Sequence, residues 1–103
     1  MASGEAASGQ AEGTRSSQKV LLTNKAGLHA RAATAFVLEA RKFASTIEVQ
    51  LDGRVVDGKS VMEMLTLAAE SGTEIEICAK GPDARHALDA LVALVKRRFG
   101  EES

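Results

Sequence analysis

Between residues 20 and 100 the spacing of apolar side chains switches repeatedly between the period of a strand and that of a helix, and the order of those switches limits what the chain can fold into. Val20-Leu21-Leu22 is a short apolar run closed by Thr23-Asn24-Lys25-Ala26-Gly27, a strand followed by a turn. From Ala30 to Phe43, the residues Ala33, Phe36, Val37 and Ala40 recur at helical spacing, with Arg41 and Lys42 in the last turn, which predicts an amphipathic helix. Ile47, Val49 and Leu51 alternate with Glu48 and Gln50 as a strand with one wet face, and Asp52-Gly53 predicts a hairpin into Arg54-Val55-Val56. Ser60 to Ala69 reads as a second helix, opened by Ser60 and Glu63 at capping-box spacing. Glu74 to Ile77 alternates again, and Gly81-Pro82 opens a last helix whose stripe is Ala84, Ala87, Leu88, Leu91, Val92 and Val95, with Gly100 as its stop.

The resulting order is βαββαβα. Helices interleaved with strands, and a tight hairpin between the second and third strands, predict an antiparallel or mixed sheet covered on one face by helices. Residues 1–17 hold four Ala, four Ser and three Gly but no Val, Ile, Leu or Phe, which predicts a disordered tail. The folded domain is then expected over residues 18–103. With 18 alanines, three Phe and no Trp or Tyr, it is a small domain with few bulky side chains and no room for a cleft between two lobes. Any chemistry belongs on an exposed edge or loop.

Several function classes are disfavoured on the same grounds. The lone Cys78 cannot form an internal disulfide, which fits a reducing compartment, and two histidines and one cysteine at unrelated spacings predict no metal site. No apolar run nears the roughly 20 residues of a membrane span, and the amino terminus lacks the apolar stretch of a signal peptide. A formal net charge of −1 with 3% aromatic residues argues against nucleic acid as a partner. A soluble cytoplasmic protein without a cofactor is expected.

The segment Gly27-Leu28-His29-Ala30-Arg31-Ala32-Ala33 carries the most chemical information. His29 falls where the first helix should be capped, a position usually given to Ser, Thr, Asp or Asn. The first turn of a helix presents unpaired N–H groups, here those of Ala30 and Arg31, and a partial positive charge, so it suits an anion such as phosphate. Arg31 adds a planar cationic fork able to grip phosphate oxygens. A histidine in that place, behind a flexible glycine and followed by arginine, is better explained as a phosphoryl acceptor than as a poor cap.

That string, followed about thirty residues after His29 by Lys59-Ser60 opening a short apolar helix, resembles the HPr family of histidine-containing phosphocarriers of the bacterial phosphotransferase system. The resemblance runs from about Lys19 to Phe99. It implies a βαββαβα open-faced sandwich, a four-stranded antiparallel sheet covered on one face by three helices. It also implies a phosphoryl carrier, not a stand-alone catalyst, that accepts a phosphoryl group from enzyme I on His29 and passes it to enzyme IIA domains. In the family Nδ1 of this histidine is phosphorylated; the sequence alone does not distinguish it from Nε2. One departure is Ala32, where the family usually has proline after the arginine, and a looser turn is expected there.

The resemblance further implies regulatory phosphorylation of Ser60 by an HPr kinase/phosphorylase, a role compatible with helix capping. In the second helix, Met64, Leu67 and Ala68 are expected inward, leaving Val61, Met62 and Leu65 as an apolar partner-docking patch. Arg31, Arg41, Arg54 and Lys59 are expected to supply charge toward acidic partners, although Glu63 stands where the family is often basic. His86 reads as a solvated surface residue, Cys78 as packing, and Lys96-Arg97-Arg98 as cations at a helix end. A monomer is expected. The competing reading is a regulatory adapter of the same fold, including one of a nitrogen-related branch, whose phosphorylation state controls binding to a kinase, transporter or transcription factor.

Overall fold

A computed structural model describes residues 14–101. Four strands, β1 (Arg15–Leu21), β2 (Thr46–Leu51), β3 (Arg54–Asp57) and β4 (Glu74–Lys80), form one sheet in the order β1-β4-β2-β3, every neighbouring pair antiparallel. Three helices, α1 (Ala30–Ala40), α2 (Val61–Leu65) and α3 (Ala84–Lys96), and a 3-10 turn at Arg98–Gly100 complete the chain. The fold is an open-faced sandwich in which α3 packs on β1 and β4 while α1 lies between α2 and α3.

Strand alternation explains the layering. Ile75, Ile77 and Ala79 of β4 stand in register with Val20 of β1 and with Val49 and Ile47 of β2, and all of these are buried. Phe36 and Val37 from α1, Met64 from α2, and Leu88, Leu91 and Val95 from α3 close the core above them. Asp52 and Gly53 both adopt positive φ, 51° and 83°, as a two-residue hairpin between right-twisted strands requires. On the opposite parity Glu76, Gln50 and Val55 cross the open face side by side. Cys78 shares that parity, paired with Ser17 and Glu48, and is only 3% exposed.

The element boundaries differ from the sequence reading in ways that packing explains. The first strand begins at Arg15, because pairing of Arg15, Ser16 and Ser17 with Lys80, Ala79 and Cys78 satisfies their backbone without apolar side chains. Strand β1 thus starts ahead of residue 18; the remainder of the expected tail, residues 1–13, lies outside the described residues.

Helix α1 stops at Ala40 instead of Phe43. Lys42 and Phe43 donate to carbonyls only three residues back, and the next two N–H groups, of Ala44 and Ser45, go to the Asp83 carboxylate at 2.9 Å each. Asp83 is thereby drawn away from capping α3, which starts at Ala84 with no side-chain cap, so Pro82 sits just ahead of the cap residue and not inside the first turn.

Helix α2 is a single short stretch, ending at Leu65 where Ala69 was expected. Ala68 takes a left-handed conformation, φ 50°, so its side chain is exposed, and Ala69 is buried in its place. Met64 and Leu67 are buried as expected. The capping box is half formed: Ser60 Oγ accepts from Glu63 N–H at 3.2 Å, but the Glu63 carboxylate accepts from Asp57 N–H at 2.9 Å and does not return to Ser60. Among the described residues no helix is long and apolar enough to cross a membrane, and no group of His, Cys, Asp and Glu is placed to hold a metal ion.

Candidate functional site

Gly27 sets the approach of the chain to α1. Its φ is 67°, and a Cβ there would lie 2.6 Å from the Ala69 carbonyl oxygen and 2.8 Å from Glu70 Cα, so only glycine permits this approach. The close contact lets Leu28 N–H donate to the Ala69 carbonyl at 2.9 Å, while His29 N–H donates to the Gly27 carbonyl at 2.9 Å. His29 is then extended (φ −80°, ψ −178°) and becomes the N-cap of α1.

The imidazole acts as the cap. Its Nδ1 accepts from Arg31 N–H at 3.2 Å, and its Nε2 lies 2.7 Å from Glu101 Oε2. The other carboxylate oxygen, Oε1, accepts from Asn24 Nδ2 at 3.1 Å, and the same amide nitrogen donates to the Gly27 carbonyl at 2.7 Å. Asn24 is fully buried, whereas His29 and Glu101 keep 25% and 21% of their side chains exposed.

Burial raises the affinity of Glu101 for a proton, but hydrogen bonds from Asn24 and His29 and the positive field of Arg31 oppose it, and the carboxyl is held below the ordinary glutamate range. An ionised carboxylate only accepts, so Nε2 must be the donor of the 2.7 Å bond. Nδ1 receives the Arg31 N–H and therefore carries the lone pair. Geometry thus assigns the ring tautomer: Nε2 protonated, Nδ1 nucleophilic and aimed at the helix start, where Ala30 and Arg31 present their N–H groups.

Neither Asn24 nor Glu101 stands out in the sequence. Asn24 reads as one residue of a turn, and Glu101 lies 72 residues from His29 with no local pattern. The one trace is Gly100, whose φ of 82° reverses the chain immediately before Glu101.

The remaining sequence candidates divide between two ends of α1. Leu28, ahead of α1, bonds to Ala69, beyond α2; Arg41 and Phe43, after α1, bond to Lys59, ahead of α2. The two helices therefore run antiparallel. Ser60 lies at the far end of α1 from His29, about 15 Å away at 1.5 Å per helical residue. Arg41 and Lys59 gather at that far end: Arg41 Nη2 donates to the Lys59 carbonyl at 3.1 Å and Lys59 Nζ to the Phe43 carbonyl at 2.7 Å. Arg54 is held still elsewhere, on the Thr66 carbonyl at 2.7 Å. Of the four cations expected to act together, Arg31 is the one adjoining His29 along the chain.

Met62 is 76% exposed and Leu65 36% exposed on α2. Val61 is half-buried against the core and contributes only an edge. Leu38 on α1 is also exposed, which the helical stripe of α1 did not suggest. His86 is exposed on α3, in keeping with a solvated residue.

A family model described as the PTS HPr component phosphorylation site matches residues 16–97. The phosphocarrier protein HPr of Cupriavidus necator is 44% identical over 80 residues, covering 78% of this chain and 90% of that protein. Among solved structures, HPr from Thermoanaerobacter tengcongensis superposes with a TM-score of 0.83 at 40% identity, covering 85% of this chain and 99% of that one. A Bacillus subtilis structure titled as the catabolite repression protein Crh, a domain-swapped dimer, has a TM-score of 0.66 at 42% identity, covering 78% and 92%.

Proposed function

The chain belongs to the HPr family, and from that premise we propose that it is a phosphoryl carrier in which Nδ1 of His29 accepts the phosphoryl group of phosphorylated enzyme I and yields it to enzyme IIA domains. The observation that carries this reading is the orientation of the ring: Nε2 is engaged by Glu101 while Nδ1 faces the opening turn of α1. When Nδ1 bonds to phosphorus, the Arg31 N–H that it accepted is released to a phosphoryl oxygen, and the Arg31 guanidinium adds a second donor. Both act on the transferring group as much as on the product, so the phosphohistidine is held without being trapped.

The docking surface in this reading is the apolar patch of Met62 and Leu65, edged by Val61, with Arg41 and Lys59 at the Ser60 end. A phosphate on Ser60 would stand at that end, about 15 Å from His29, and would act on partner docking instead of on the ring. We place the protein in the cytoplasm as a monomer, without nucleic acid or membrane as partners.

The deciding experiment is incubation with phosphoenolpyruvate and enzyme I, followed by assay for acid-labile phosphate, with His29→Ala as control. Labelling confined to the wild-type protein is expected; equal labelling of both would overturn the assignment of His29. Gel filtration with light scattering checks the monomer. The likeness to Crh favours a second reading, a regulatory adapter whose binding to a kinase, transporter or transcription factor follows its phosphorylation state. That reading is preferred if His29 is charged but no enzyme IIA domain discharges it.

A further inference from the structure

We infer that Glu101 is a positioning residue for phosphoryl transfer at His29: it holds the proton on Nε2 and supplies the counter-charge for the imidazolium that forms when Nδ1 takes the phosphoryl group. The inference rests on the carrier reading above and deepens it. In the neutral ring, Nε2 bears hydrogen and Nδ1 the lone pair. As that lone pair attacks phosphorus, an N–P bond forms, the bond from phosphorus to the donor breaks, and its electron pair returns to the donor. The ring is left with phosphorus on Nδ1, hydrogen on Nε2 and one positive charge. On discharge the next acceptor attacks phosphorus, the N–P pair returns to Nδ1, and the ring is neutral again. No proton has to leave Nε2 in either direction, provided that something keeps it there.

The carboxylate 2.7 Å from Nε2 does so. Its part is that of the aspartate behind the histidine of a serine protease, which fixes the tautomer and stabilises the cation without taking the proton. The chain invests in placing it. Arg98, Phe99 and Gly100 are left-handed in succession, φ 58°, 57° and 82°, and two of the three are not glycine. Burial of Phe99 in the core anchors this reversal, and Glu101 N–H closes it onto the Arg98 carbonyl at 2.8 Å. Asn24 then occupies Oε1, leaving Oε2 for the ring, and ties the same amide to Gly27, so one buried side chain aligns the carboxylate with the turn that presents His29.

The test measures phosphoryl transfer from phosphorylated enzyme I to the wild type, Glu101→Gln and Glu101→Asp in the full chain. An opposite charge at this range is worth one to three pK units to a cation, and partial exposure selects the lower end, so Glu101→Gln should lower kcat about tenfold with KM unchanged. Glu101→Asp, which keeps the charge, should recover part of the loss. In the 15N-labelled phosphorylated protein, the Nε2–H signal of His29 should be sharp in the wild type and broadened by exchange in Glu101→Gln, while thermal melts agree. A wild type that is charged alongside a Glu101→Gln variant of equal kcat overturns this inference and leaves the carrier reading standing. A raised KM with intact kcat also overturns it, since Glu101 would then be a partner contact. A wild type that is not charged at all fails the carrier reading itself.

Discussion

Replacing Gly27 by alanine separates two costs that usually come together. The residue has φ 67°, and its added Cβ would sit 2.6 Å from the Ala69 carbonyl oxygen, 2.8 Å from Glu70 Cα and 2.9 Å from the Glu70 carbonyl carbon, all backbone atoms. The left-handed conformation alone costs an L-residue roughly 1–2 kcal/mol. Relieving the contact requires the two segments to part by about half an ångström or more, which stretches the Leu28 to Ala69 hydrogen bond, worth about 1 kcal/mol, and disturbs packing around Leu28. The sum is about 3 kcal/mol.

Gly72 is the control. Its φ is 89°, but a Cβ there meets nothing within 4 Å, so Gly72→Ala should show the conformational cost without the collision. Urea denaturation at neutral pH should therefore place Gly27→Ala about 1–2 kcal/mol below Gly72→Ala, a difference worth roughly 4–16 °C in melting temperature for a domain of this size. Equal destabilisation of the two variants would refute the reasoning, because it would mean that the close approach of the 27 and 69–70 segments exerts no constraint. The consequence reaches the site, since the same approach orients His29: Gly27→Ala should also lose charging by enzyme I under conditions where it remains folded.

Arg31→Ala should slow charging by about tenfold while leaving stability within about 0.5 kcal/mol, because in the proposed carrier role its exposed guanidinium would serve the phosphoryl group and not the fold; steady-state labelling and a thermal melt check both. Asp83 has its carboxyl held low first by the Ser45 hydroxyl and then by Ala44 N–H, against the opposing effect of burial. A depressed carboxyl contributes stability that is present above its unfolded value, near pH 3.9, and lost as pH falls through its lower folded value, so acid unfolding should begin at higher pH in Asp83→Asn than in the wild type. Met62→Ala should change stability by less than about 0.5 kcal/mol yet weaken enzyme I binding in calorimetry, whereas Met64→Ala should cost about 2–5 kcal/mol. Ser60→Asp keeps a good helix cap and so should melt like the wild type, but should slow charging by enzyme I.

The helices and strands were largely readable because hydrophobic period is a local property, and within each element a few residues suffice to express it. Ile47-Glu48-Val49 cannot pack as a helix without burying the glutamate, and Asp52-Gly53 accepts the paired positive φ of a tight hairpin where most dipeptides do not. Boundaries were less readable wherever a distant group competed for the backbone. Asp83 takes the N–H groups that would have followed α1, and Glu63 turns to Asp57 instead of completing its box at Ser60. At β1 the error ran the other way, since pairing with β4 orders Arg15 to Ser17 although their side chains give no reason for it.

By itself the sequence determined the order of elements and the place of His29 at a helix start, because each depends on residues within a turn or two of one another. Only the tertiary structure decided what surrounds that histidine. It separated Ser60, Arg41 and Lys59 from His29 by the length of α1, since antiparallel packing puts the start of one helix beside the end of the other. It also brought Asn24 and Glu101 onto the ring, across 72 residues, and thereby chose which nitrogen is free. A tautomer is set by the partners that touch the ring, and those partners are neighbours in space alone.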